Sequence, residues 1–183
     1  MNTTALLRTL IVLMSACLYA ASASAQQKKA AASPTDQAVL LGQFGDWGAY
    51  RASPGGKKIC FALSKPTSAK TDPAGRNRDA SYAFVSTRPS EKVKNEVSVI
   101  VGYPQKPGHD ATAAIGSATY AMYTQNDGAW VKNAAEESKL IETMRKGADV
   151  VIKATTSRGT QTTDTFSLKG ITQAVDRAAQ ECK

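Results

Sequence analysis

The sequence predicts an all-β sandwich of about seven strands with two short helices, one of them C-terminal. Three observations lead there. Short apolar or alternating runs recur about every ten residues between Phe44 and Ser167. Turn-forming clusters separate them, among them Ser53-Pro54-Gly55-Gly56, Asn126-Asp127-Gly128 and Ser157-Arg158-Gly159-Thr160. A helical period occurs only at 134–146 and from Ile171 to Cys182.

The chain divides into a signal peptide at 1–25, a leader at 26–38 and a folded domain at 39–183. Arg8 precedes the apolar run Leu10 to Leu18, which is too short to span a membrane. Ala23-Ser24-Ala25 is an A-x-A cleavage site, so cleavage is expected between Ala25 and Gln26, with delivery to the periplasm or beyond. Met14-Ser15-Ala16-Cys17 loosely matches a lipoprotein processing site but has a poor first residue, so the A-x-A site is favoured. The leader is polar and Ala-rich, with Pro34, and reads as flexible. No later run is long and apolar enough for a transmembrane helix, so the mature chain is expected to have none.

Val39 to Phe44 enters the fold. The first strand is Phe44 to Tyr50, with Trp47 and Ala49 on one face; the second is Lys58 to Leu63, with Ile59 and Phe61 on the face opposite Cys60. Lys65 to Asp79 holds Pro66, Pro73 and Gly75 and reads as a long exposed loop, a place where function concentrates. Ser81 to Thr87 and Glu96 to Tyr103 are strands; Val97, Val99 and Val101 share a face. Pro104 to Asp110 is irregular. Ala114 to Thr124 is a strand, and Ala129-Trp130-Val131 pairs back after Asn126-Asp127-Gly128.

The first helix gathers Leu140, Ile141 and Met144. Its first turn holds Glu136 and Glu137, its last Arg145 and Lys146, and Gly147 stops it. Val150 to Thr156 follows, with Val150, Ile152 and Ala154 on one face. The return strand places Phe166 and Leu168 opposite Thr163, Thr165 and Ser167. In the last helix Ile171, Ala174, Val175, Ala178 and Cys182 form one stripe. The expected core residues are Trp47, Phe61, Val99, Trp130, Ile152 and Phe166, since large aromatic and branched side chains mostly serve burial.

With Cys17 removed, Cys60 and Cys182 remain, and an oxidising compartment favours a Cys60–Cys182 disulfide over two buried thiols. Chemistry is poorly provided for. The sole histidine, His109, lies in a Pro/Gly loop beside Asp110, and sequence adjacency does not make a catalytic relay. One histidine and two distant cysteines make no zinc ligand set. Nucleotide and metalloprotease motifs are absent. No catalytic residue, metal or cofactor is expected. The formal charge is +8, yet the Lys and Arg residues are scattered. This implies weak attraction to anionic surfaces and no specific nucleic-acid platform.

Four segments carry a family resemblance: Phe44-Gly45-Asp46-Trp47, Asn126-Asp127-Gly128-Ala129-Trp130, Met144-Arg145-Lys146-Gly147 and Thr163 to Gly170. In their order the chain resembles the invasion-associated locus B (IalB) family of bacterial secreted proteins, over about Phe44 to Cys182. The resemblance implies an immunoglobulin-like β-sandwich. It also implies a role in host-cell invasion in some intracellular pathogens, erythrocyte entry in particular, although relatives occur in bacteria that invade nothing. It carries over no catalytic residues. Several members have a cysteine shortly after the N-terminal Trp, where this chain has Arg51. The leading expectation is a non-enzymatic periplasmic or secreted protein binding an envelope or host-surface component. The alternatives are a binder of anionic envelope polymers such as lipopolysaccharide, and a hydrolase using loop residues such as His109 or Asp79.

Overall fold

The structure, a computed structural model, describes residues 38–183. The expected signal peptide, the expected cleavage between Ala25 and Gln26, and the expected leader up to residue 37 lie outside the described residues. Eleven strands and two α-helices are found among those described, in the order β1 (Val39–Phe44), β2 (Trp47–Ala52), β3 (Ile59–Ser64), β4 (Ser68–Asp72), β5 (Tyr82–Arg88), β6 (Val93–Ile100), β7 (Ala111–Ile115), β8 (Ala118–Gln125), β9 (Gly128–Val131), α1 (Ala134–Lys146), β10 (Asp149–Thr155), β11 (Gln161–Ser167) and α2 (Ile171–Glu181). Neither helix is long and apolar enough to cross a membrane.

Every pairing is antiparallel, and hydrogen bonding is continuous through the order β1-β2-β3-β5-β6-β9-β8-β7-β10-β11-β4. The inner faces of its two halves share one core, as in an all-β sandwich. Trp47, Val85, Val97 and Val99 from the first half belong to one buried cluster with Ala113, Ile152 and Phe166 from the second. Trp47 on β2 bridges the halves: its indole N–H donates to the Ser167 carbonyl on β11 at 2.8 Å.

The strand count exceeds the expected seven for local reasons. Val39 to Phe44 forms an edge strand against β2. Ser68–Asp72 lies inside the segment expected to be a loop; it is polar and pairs only with β11, so no apolar alternation marks it. The run expected as one strand from Ala114 to Thr124 is a hairpin, β7–β8, turned at Gly116-Ser117.

The helices complete the core. Asn133 caps α1, its side-chain oxygen accepting from the Glu136 N–H at 2.8 Å, while Leu140, Ile141 and Met144 are buried. Glu137, beyond favouring the helix start, accepts the Val97 N–H of β6 at 2.7 Å. α2 buries Ile171, Ala174, Val175 and Ala178 and packs on β1, β2 and β3. It covers the face that holds Cys60, opposite Ile59 and Phe61, as strand parity requires. Cys60 and Cys182 are disulfide-bonded, with Cα atoms 5.8 Å apart.

The outer face of β2, β3 and β5 carries a separate cluster: Phe61, Leu63 and Phe84, with Tyr50 stacked on Phe61 at 5.4 Å.

Candidate functional site

The site grows from one buried carboxylate. On β11, Thr162, Asp164 and Phe166 share the inward parity, and Asp164 is 1% exposed. An unpaired charge there would be prohibitively costly. Arg78, from the segment joining β4 to β5, supplies the partner. Its Nη1 donates to Asp164 Oδ2 at 2.7 Å and to the Val101 carbonyl at 3.2 Å, and its Nη2 donates to Asp164 Oδ1. The hydrogen bond with Asp164 raises the Arg78 pKa against the opposing pull of burial, so the guanidinium stays charged.

Next to this fork stands Tyr103, with the Arg78 guanidinium 5.9 Å from its ring centroid and its hydroxyl hydrogen-bonded to Thr162 Oγ1. Burial pushes the phenol pKa up, so it stays neutral. Arg78, Tyr103 and Thr162 form part of the lining of a cleft of about 650 Å³.

Two chain segments supply further lining. One is the run after β4, carrying Arg76 and Asn77; the Arg76 backbone N–H donates to Thr71 Oγ1 at 3.2 Å. The other is the β10–β11 turn, carrying Ser157 and Arg158. That turn is closed by Gly159 N–H to Thr156 O at 2.9 Å and Thr160 N–H to Thr156 Oγ1 at 3.0 Å, and is tied to the neighbouring segment by Ser157 N–H to Pro104 O at 2.9 Å. Arg78 is spent on Asp164, whereas the Arg76 and Arg158 guanidiniums have no ion-pair or hydrogen-bond partner among the described residues. A second groove shares Asn77, Arg78 and Tyr103 and carries the carboxylates of Asp79 and Asp127. Of the two, the cleft of Arg76 and Arg158 is therefore the one that carries unpaired positive charge.

The residues singled out from the sequence lie elsewhere, apart from Asp79 in that second groove. Trp47, Val99, Ile152 and Phe166 are in the main core at 3% exposure or less. Phe61 is buried in the separate outer-face cluster. Trp130 departs from the core expectation. It sits opposite Ser98 and Tyr123 on the outer face, half-buried, stacked on Tyr123 at 5.6 Å. Its ring lies over Gly128, where an added Cβ would meet it at 2.1 Å.

His109 is exposed, its Nδ1 3.3 Å from the Pro107 carbonyl. Asp110 pairs with Lys132 at 2.5 Å rather than orienting the imidazole. No group of three or more His, Cys, Asp or Glu side chains able to hold a metal occurs among the described residues.

Sequence reasoning missed Arg76, Arg78, Tyr103, Arg158 and Asp164 as a group. One signal was present: Asp164 falls on the same parity as Phe166 and Leu168, where a carboxylate needs a partner.

The four segments that carry the resemblance turn out to be packing nodes. The first and last meet: Asp46 N–H donates to the Lys169 carbonyl at 3.0 Å, and an added Cβ at Gly170 would stand 1.8 Å from Phe44 O. Gly170 also has φ 92°, so both its neighbours and its backbone exclude a side chain. Asn126 and Asp127 accept the backbone N–H groups of Gln105 and Val101. An added Cβ at Gly147 would meet Ile115 at 2.5 Å.

A family model described as "Invasion associated locus B (IalB) protein" matches residues 49–179. No curated protein and no solved structure matches the chain.

Proposed function

The chain belongs to the invasion associated locus B family, and we propose that it is a non-enzymatic binding protein of the periplasm or secreted space that receives an anionic envelope or host-surface component in its arginine-lined cleft. One observation carries this reading. Arg76 and Arg158, on separate segments of the cleft lining, are left without partners while the third arginine is fully used by Asp164. Free guanidiniums beside neutral hydroxyls make a site of donors, suited to holding an anion. The formal charge of +8, or +7 once Arg8 leaves with the signal peptide (8 − 1), would draw such a ligand in. The Cys60–Cys182 bond fits an oxidising compartment, as does the Ala23-Ser24-Ala25 signal.

The test is co-sedimentation of the mature protein with a bacterial envelope fraction across a salt series. Retention should fall as salt rises, and should fall at every salt concentration in Arg76→Gln/Arg158→Gln. His109→Ala should be retained like wild type. Retention indifferent to the double substitution would overturn the assignment to this cleft.

A further inference from the structure

We infer that the cleft recognises a phosphate monoester carried on a saccharide, an assignment that rests on the binding reading above and narrows it. The protein itself shows what a carboxylate needs. Asp164 is satisfied at both oxygens by one guanidinium fork, that of Arg78. A planar carboxylate presents two oxygens in one plane and matches a single arginine. The cleft offers two more guanidiniums, Arg76 and Arg158, from different segments of its lining. A phosphate monoester presents three terminal oxygens in different directions and carries about −1.5 to −2 charges at neutral pH. Two arginines from different segments suit both its charge and its number of oxygens.

The rest of the lining selects what bears the phosphate. Thr71 and Thr156 already accept backbone N–H groups, from Arg76 and Thr160, and each retains its own O–H to donate. Ser157 and Thr160 add further hydroxyls. Such groups serve a polyhydroxylated ligand rather than an acyl chain. A volume of about 650 Å³ exceeds what phosphate alone fills and lies within the usual size of small-molecule sites. The aromatic ring in this lining, Tyr103, has the Arg78 guanidinium over one face, which leaves that face unavailable to a nucleobase.

The experiment is titration calorimetry of the mature protein at low salt with glucose 6-phosphate, glucose, glucuronate and inorganic phosphate. A parallel arm uses vesicles bearing a bisphosphorylated disaccharide lipid and its dephosphorylated form. Glucose 6-phosphate should bind at least about tenfold more tightly than glucuronate and more tightly than inorganic phosphate, with glucose inert. Arg76→Gln and Arg158→Gln should each weaken it about tenfold or more, the scale of losing a charge-assisted hydrogen bond, with melting temperature unchanged. Arginine-dependent binding of the soluble sugar phosphate without vesicle binding identifies a soluble phosphosugar. Phosphate-dependent vesicle binding through the same arginines identifies a lipid headgroup.

Glucuronate binding as well as glucose 6-phosphate, or phosphosugar binding untouched by both substitutions, overturns the phosphate assignment. If phosphosugars fail while envelope retention still depends on the arginines, this assignment falls and the wider binding reading stands. Loss of that dependence removes both.

Discussion

At the scale of single residues, the fold and the cleft depend on how one charge is buried. Asp164 stands on the inward face of β11, and only the fork of Arg78 makes that tolerable. Arg78→Ala should therefore cost about 3–5 kcal/mol in urea denaturation, the usual penalty for leaving a buried charge alone. Arg78→Met with Asp164→Leu should recover much of it. A single substitution without effect would show that Asp164 is neutral or hydrated. Glu137 gives the pH counterpart. Burial raises its carboxyl pKa, outweighing the hydrogen bond from Val97, so the folded state binds its proton more readily than the unfolded chain. The stability this contributes is present below the unfolded carboxylate range and is lost as pH rises through the raised value. Wild type should gain stability relative to Glu137→Gln as pH falls from neutral through the carboxylate range. A parallel pH profile for the two proteins would refute the shift. Neither role could be assigned from sequence alone. The parity of Asp164 was readable, but its partner lies 86 residues away, and Glu137 looked like an ordinary helix-start carboxylate.

Among elements, α2 shows what periodicity reads well. The stripe Ile171, Ala174, Val175, Ala178 sets the buried face, and the opposite parity of Cys60 and Phe61 requires the helix to cover the Cys60 side. The Cys60–Cys182 bond closes a separation of 122 residues. On the loop-entropy model that constrains the unfolded chain by about 4–5 kcal/mol. Cys60→Ala/Cys182→Ala should lower stability by up to about that amount and speed amide exchange first in the last turn of α2. Undiminished protection there would mean that packing and the contacts of Glu181 with Arg177 and Lys58 hold the helix alone. β4 shows what periodicity cannot read. Ser68–Asp72 has no apolar alternation because it forms a sheet edge on β11, and its pairing partners lie 89 (161 − 72) to 97 (165 − 68) residues further on. The β7–β8 hairpin was hidden by its two-residue turn, Gly116-Ser117, inside a run of small residues.

For the whole molecule, the all-β class with its two helices was legible because strand spacing and two helical stripes are local properties. The cleft was not, because topology assembles it. The sheet order sets β4 beside β11, so the segment after β4 and the β10–β11 turn reach one cleft together with Tyr103. The segments that carry the family resemblance instead stitch turns to strands, which explains why their residues argue fold and not chemistry. Backbone amide NMR of the isotopically labelled protein, titrated with a solubilised anionic envelope glycolipid, tests the central claim most directly. Shifts should concentrate at the amides of residues 71–78 other than Pro73, of Tyr103 and of residues 156–162, and be abolished in Arg76→Gln/Arg158→Gln. Shifts centred instead on the outer face around Tyr123 and Trp130, or unchanged by the double substitution, would contradict it.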